Sequence, residues 1–141
     1  MSMRLFVYGT LLGELADGAA GQLVKGLDRG FPAIALGHLY AVEDPNGWFP
    51  AFVPDRDGDD VHGVLHTVSA AEMAAIDIFE RTGEDYDRRS IMLVGPNGAQ
   101  LTAGAYCWIG STAGLERIGH GRFHRWLEET GRPAYREPAP E

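Results

Sequence analysis

The sequence predicts an α+β domain in which a mixed, mainly antiparallel sheet curls into a small barrel with flanking helices. Three observations predict it: about six short β-rich runs set apart by turn residues, one helical run opened by a capping box, and an amphipathic run near the C-terminus. At 141 residues the chain fits one domain, taken as residues 1–133, with 134–141 as a loose tail. A composition that is 45% hydrophobic and 23% charged excludes a disordered or fibrous chain.

The first strand is Arg4 to Tyr8, stopped by Gly9. Between Glu14 and Leu27, Gly18 and Gly21 weaken any helix, since each interior glycine costs about 1 kcal/mol against alanine, so this stretch reads as loop with helical turns. Ala33 to Val42, Phe49 to Val53 and Val61 to Val68 are three strand candidates, read as successive antiparallel neighbours. Ser69 and Glu72 then form the Ser-x-x-Glu signature of a helix start. Met73, Ile76 and Phe79 continue at helical spacing, which predicts a helix from Ala70 to Glu80. Tyr86 to Val94 and Leu101 to Ile109 flank Gly95-Pro96-Asn97-Gly98 and predict a hairpin. Phe123, Trp126 and Leu127 share a helical face, and Gly131-Arg132-Pro133 supplies its stop.

Twenty acidic against twelve basic residues give a net charge of −8 with no basic cluster, which argues against nucleic acid as a partner. No apolar run approaches the length of a membrane span or a signal-peptide core, so a cytoplasmic location without a membrane partner is the expectation. Cys107 is the lone cysteine and offers neither an internal disulfide nor a cysteine-based zinc site. Flanked by Tyr106 and Trp108 in a strand, it reads as a buried small hydrophobe rather than a nucleophile.

Other chemistry-bearing groups have bland alternatives. Asp55 to Asp60 resembles a calcium loop, but its glycine comes too early and His66 stands where the closing glutamate belongs, so a solvated turn is the better reading. His120, His124 and Glu128 recur at helical spacing and could ligate a metal, or simply form a solvated face. His62 and His66 lie on one side of a strand, where substrate, metal or water could meet them. Two features point further. Tyr8-Gly9-Thr10-Leu11 ends the first strand in a turn able to present successive N–H groups to an anion. Glu80 falls on the last turn of its helix, against the unfavourable end of the dipole. Facing the core it would have a pKa raised toward that of a general base; exposed, it would pair with Arg81, Arg88 or Arg89.

Phe6-Val7-Tyr8-Gly9-Thr10-Leu11, Gly37-His38-Leu39-Tyr40, Trp48-Phe49-Pro50-Ala51, Val61-His62-Gly63-Val64, Ile76-Asp77-Ile78-Phe79-Glu80 and Tyr86-Asp87-Arg88 together resemble the γ-glutamylcyclotransferase-like family, especially its small AIG2-like members. The similarity covers roughly Arg4 to Ile109. It implies a mixed barrel whose cavity takes a γ-glutamyl small molecule, with no cofactor and no metal. Backbone groups of Gly9, Thr10 and Leu11, with Tyr8 beside them, would hold the glutamyl group, Tyr86 would line the pocket, and Glu80 matches the catalytic glutamate. The reaction so implied closes the substrate's α-amine onto its own γ-carbonyl, giving 5-oxoproline and a free amine. Two departures bear on the leaving-group side: Arg81 follows Glu80 where the family often has glycine, and Leu12-Gly13-Glu14 lacks a basic residue that some members carry. The rival from another class is a noncatalytic binding module that keeps the pocket for an acidic ligand or peptide end. A weaker rival is a metal-dependent hydrolase using His120 and His124. Neither the leaving amine nor the oligomeric state is legible in the residues.

Overall fold

A computed structural model describes residues 2–9, 30–79, 83 and 85–135. Its elements are β1 (Ser2–Val7), β2 (Phe31–Asp44), β3 (Gly47–Pro54), β4 (Asp59–Ser69), α1 (Ala70–Phe79), β5 (Tyr86–Val94), a single 3-10 turn (Pro96–Gly98), β6 (Gln100–Trp108), β7 (Glu116–Arg117) and α2 (Phe123–Thr130). Five strands close a barrel in the order β2, β4, β1, β6, β5 and back to β2, with the two helices on its outside. All pairings are antiparallel except that of β1 with β6, whose register is Leu5 with Gly104. The expected mixed, mainly antiparallel barrel is the fold observed.

Alternation along β1 sorts the core in two. Phe6 and Tyr8 join the barrel interior with Leu39, Phe52, Val61, Leu65, Leu93 and Cys107. Leu5 and Val7 turn the other way and pack under α1 with Val68, Met73, Ile76, Tyr86 and Tyr106. The Ser69 capping box forms as expected: the Glu72 N–H donates to Ser69 Oγ at 3.1 Å, and the Ser69 N–H donates to Glu72 Oε1 at 2.8 Å. Helix α1 is described to Phe79, one residue short of the expected end at Glu80.

β2 and β3 form a tight hairpin from Gly37 with Pro54 to Asp44 with Gly47. β3 and β4 are not paired neighbours, contrary to the sequence expectation. Both pair with β2, β4 taking Phe31 to Gly37 and β3 taking Gly37 to Asp44. The Asp55–Gly58 turn is the cause: the Asp55 N–H bonds to the Leu36 carbonyl at 3.1 Å and Gly58 lies against the Gly37 backbone, so the chain re-enters β2 where β3 leaves it. At the β5–β6 hairpin Asn97 and Gly98 take positive φ, 61° and 75°, as an Asn-Gly turn requires.

The C-terminal helix reaches the barrel through Gly121. At φ 68° its backbone is so close to the Asp60 carbonyl that a β-carbon would overlap it, and its own carbonyl accepts the His62 N–H at 2.8 Å. Gly131, φ 68°, ends α2 in the left-handed conformation. Residues 134 and 135, expected to begin a loose tail, are instead held: the Trp48 N–H bonds to the Pro133 carbonyl at 2.9 Å and the Tyr135 N–H to the Trp48 carbonyl at 2.7 Å. Beside these bonds the Arg132 guanidinium lies over both the Trp48 and Trp126 rings, 4.4 and 4.9 Å from their centroids, while the two indoles meet edge-on at 5.4 Å.

Candidate active site

Four sequence elements meet at the end of the barrel where β1 finishes. The inward turn of Tyr8 carries its ring against Phe6 and Phe52, with centroids 6.0 and 5.4 Å away, and its hydroxyl donates to the Tyr106 carbonyl of β6. Gly9 is buried directly beyond it. Its role is spatial: a β-carbon there would overlap the Pro50 ring of β3, whereas its backbone has no positive φ that demands glycine.

Pro50 is shared. While its ring receives Gly9, its carbonyl accepts the hydroxyl of Tyr86 from the start of β5. The Tyr86 ring is buried edge-on to Phe49 and Trp108, at 6.3 and 5.6 Å. Gly9 and Tyr86 thus meet at Pro50, a residue of the Trp48-Phe49-Pro50-Ala51 motif, while Tyr8 is held by the Tyr106 carbonyl instead. Thr10, Leu11 and Glu80 lie outside the described residues, as do Arg81 and the Glu14 to Leu27 stretch.

The course of α1 follows from its two ends. It begins after Ser69, which pairs with Ser2 at the start of β1, and Met73 and Ile76 then pack on Leu5 and Val7. On the last turn, Asp77 accepts a two-pronged bond from Arg88 of β5, Nε to Oδ1 at 2.9 Å and Nη2 to Oδ2 at 3.1 Å. The Tyr106 hydroxyl donates to the same Oδ1 at 2.6 Å. Asp77 holds the Arg88 guanidinium above its ordinary pKa, chiefly through these hydrogen bonds. Two of the arginines that could have answered Glu80 carry other acids: Arg88 carries Asp77, and Arg89 pairs with Asp87 at 3.1 Å. Tyr106 and Asp77 were missed as site residues. The signal was present, because a hairpin centred on Asn97 places Arg88 opposite Tyr106.

The remaining candidates fall apart from this cluster. In the calcium-like run, Asp55 Oδ1 caps the Asp57 N–H and Oδ2 meets His38 at 2.8 Å, while Asp59 pairs with Arg117 at 2.6 Å. His120 pairs with Glu129 at 2.8 Å and His124 with Glu128 at 3.1 Å. Among the described residues no three of His, Cys, Asp or Glu form a metal-binding group. His66 is buried against Gly30, and His62 has its pKa lowered, first by burial and then by Arg122. Burial pushes the Cys107 thiol up to about 11, which suits a core residue and not a nucleophile. A surface groove of about 430 Å³ runs between α1 and the β1, β5 and β6 strands, lined by Met3, Arg4, Met73, Arg88, Ser90 and Gly104 among others; it includes none of Tyr8, Gly9 or Tyr86. No helix among the described residues is long and apolar enough to cross a membrane.

A family model described as γ-glutamyl cyclotransferase, AIG2-like, matches residues 5–125. The chain belongs to this family. Solved relatives carry the same fold. An AIG2-like protein from mouse superposes with a TM-score of 0.77 at 14% identity, covering 99% of each chain. A γ-glutamyl cyclotransferase gives 0.66 at 14% identity, over 100% of this chain and 93% of that one. YkqA from Bacillus subtilis gives 0.72 at 18% identity, over 93% of this chain; this chain spans 43% of YkqA. No curated protein matches the sequence. The AIG2-like match spans both the Tyr8-Gly9 turn and the α1 end, so Tyr8, Gly9, Pro50, Tyr86 and the Asp77 link lie wholly within the matched residues.

Proposed function

We propose that the protein is a γ-glutamylcyclotransferase that converts a γ-glutamyl amine or dipeptide into 5-oxoproline and the free amine. The observation that carries this reading is the meeting of Gly9 and Tyr86 at Pro50, with Tyr8 anchored on Tyr106, the same residue whose hydroxyl bonds the last turn of α1, in a chain of the AIG2-like family.

In the proposed reaction the substrate's α-amine attacks its own γ-carbonyl. One C–N bond forms, the C–N bond to the leaving amine breaks, and no water is consumed. Intramolecular attack already has a high effective molarity, so no serine or cysteine nucleophile is needed. Glu80 takes a proton from the α-ammonium and returns it to the leaving nitrogen. For this its pKa must rise toward neutrality, which withdrawal of a carboxylate from water produces. Backbone N–H groups of Gly9, Thr10 and Leu11 face the oxyanion, each well-aimed donor lowering the barrier by about 3 kcal/mol. The buried ring of Tyr86 walls the pocket.

The test is 5-oxoproline release from a panel of γ-glutamyl dipeptides and γ-glutamyl alkylamines. Glu80→Gln, near in shape but unable to take the proton, abolishes release while the melting temperature is retained. Unchanged turnover by Glu80→Gln removes Glu80 as the base. Calorimetric binding of γ-glutamyl compounds with no product from any of them identifies a noncatalytic binding module instead.

A further inference from the structure

We infer that Asp77, Arg88 and Tyr106 form a positioning link that fixes the end of α1, and with it the Glu80 carboxylate, relative to the Tyr8-Gly9 end of β1. The inference rests on the reading of Glu80 as the acid–base group. Tyr106 is the hinge pin of the argument because one residue touches both halves: its carbonyl takes the Tyr8 hydroxyl, and its own hydroxyl donates to Asp77 at 2.6 Å. Asp77 precedes Glu80 by three positions in the sequence and the helix is described to Phe79, so whatever fixes Asp77 fixes the end from which the chain continues toward Glu80.

The arrangement does more than hold the fold. A carboxylate on the last turn opposes the helix dipole, and α1 has no basic residue of its own there, so Arg88 answers it from β5. The Arg88 and Asp77 side chains are 33% and 26% exposed, and a two-pronged pair in that setting adds to stability as well as to geometry. What a two-pronged guanidinium–carboxylate pair supplies beyond stability is direction, because its fork admits one geometry that lysine cannot reproduce. The hydroxyl of Tyr106 completes a third constraint on Oδ1. Direction is what a carboxylate needs if it must serve first the attacking and then the departing nitrogen, where a displacement of about 1 Å costs on the order of 100-fold in rate.

The experiment compares Asp77→Asn, Arg88→Lys and Tyr106→Phe with the unaltered protein and Glu80→Gln, using γ-glutamyl-alanine and γ-glutamyl-n-butylamine as substrates. Each link variant is expected to lower kcat by about 10- to 100-fold with KM changed less than twofold, and the Asp77→Asn/Tyr106→Phe pair to fall less than the product of the single losses. Independently of activity, amide exchange at residues 77–79 is expected to quicken at least about tenfold in Tyr106→Phe, with residues 72–75 unchanged. Full kcat in the link variants with Glu80→Gln inactive overturns the link and leaves the acid–base reading standing. Activity in Glu80→Gln, or no turnover of either compound by the unaltered protein together with unchanged exchange in Tyr106→Phe, overturns both. Losses that track the melting temperature and vanish on cooling overturn it as well, by reducing the link to a fold contact.

Discussion

Replacing Gly9 with alanine isolates the tightest approach in the candidate site. An added β-carbon would sit 2.9 Å from Pro50 Cδ and 3.6 Å from its Cβ, and would overlap Cγ between them. Carbon atoms prefer separations of about 3.5–4.0 Å, so relieving the Cγ overlap requires Gly9 and the Pro50 ring to part by roughly 1.2–1.7 Å. Neither is free to do so, since β1 is held by β4 from Ser2 to Val7 and the Pro50 carbonyl carries the Tyr86 hydroxyl. Overpacking of this kind costs about 1–3 kcal/mol, which in a domain of this length lowers the melting temperature by roughly 3–12 °C. Thermal unfolding of Gly9→Ala measures the cost, and 5-oxoproline release measures how far the displaced turn slows the reaction. The decisive control is Gly9→Ala/Pro50→Ala, which removes the opposing ring. If the clash is the cause, the pair shows a favourable coupling of about 1 kcal/mol or more against the two single changes. A Gly9→Ala protein as stable as the original, or a double variant no better than the sum of the singles, refutes the reasoning.

Further outcomes follow from other contacts. With its thiol pKa raised to about 11 by burial, Cys107 is expected to resist iodoacetamide at pH 8 in the folded protein and to react on unfolding; rapid native-state labelling seen by mass spectrometry contradicts that burial. His62 has a folded pKa below its unfolded value, so the unfolded chain binds its proton first and stability falls as pH drops below about 6.5. His62→Gln should flatten the dependence of the urea midpoint on pH in that range, and an identical slope would show that His62 is not its source. Arg132→Ala removes the cation over Trp48 and Trp126 and should cost about 1–2 kcal/mol in urea unfolding, with Arg132→Lys intermediate; no loss would make the cation–ring contact incidental.

Local patterns carried most of the fold. The Ser69–Glu72 capping box, the Asn97-Gly98 turn and the apolar spacing of Phe123, Trp126 and Leu127 act within a few residues, so each element is readable from its own segment. What stayed hidden depends on distant partners. β7 is two residues long, too short for any alternation, and exists because Tyr40 and Ala41 receive it. The sharing of β2 by β3 and β4 is set by how the Asp55–Gly58 turn lands on Leu36 and Gly37. The hold on Ala134 and Tyr135 comes from the Trp48 backbone, on a strand far back in the sequence. At the candidate site, Tyr8, Gly9 and Tyr86 were singled out through resemblance, yet the meeting of Gly9 and Tyr86 at Pro50 was hidden, because it joins segments far apart in the sequence. The Asp77–Arg88–Tyr106 link was half legible, since the hairpin register gives Arg88 opposite Tyr106 but no local rule brings a helix acid to both.

The ring of strands is sealed by an uneven join. β5 and β6 zip along nine cross-strand pairs, while the return of β5 to β2 rests on Ile34 with Val94 and Ala35 with Leu93. Those partners are separated by about sixty positions, and tying so long a span is slow to accomplish and late to gain reward. The other side of the hairpin meets β1 through Leu5 with Gly104, a wider span still, so both joins of the β5–β6 hairpin are expected to knit late in refolding and to part early under mild denaturant, while β1, β2 and β4 stay zipped.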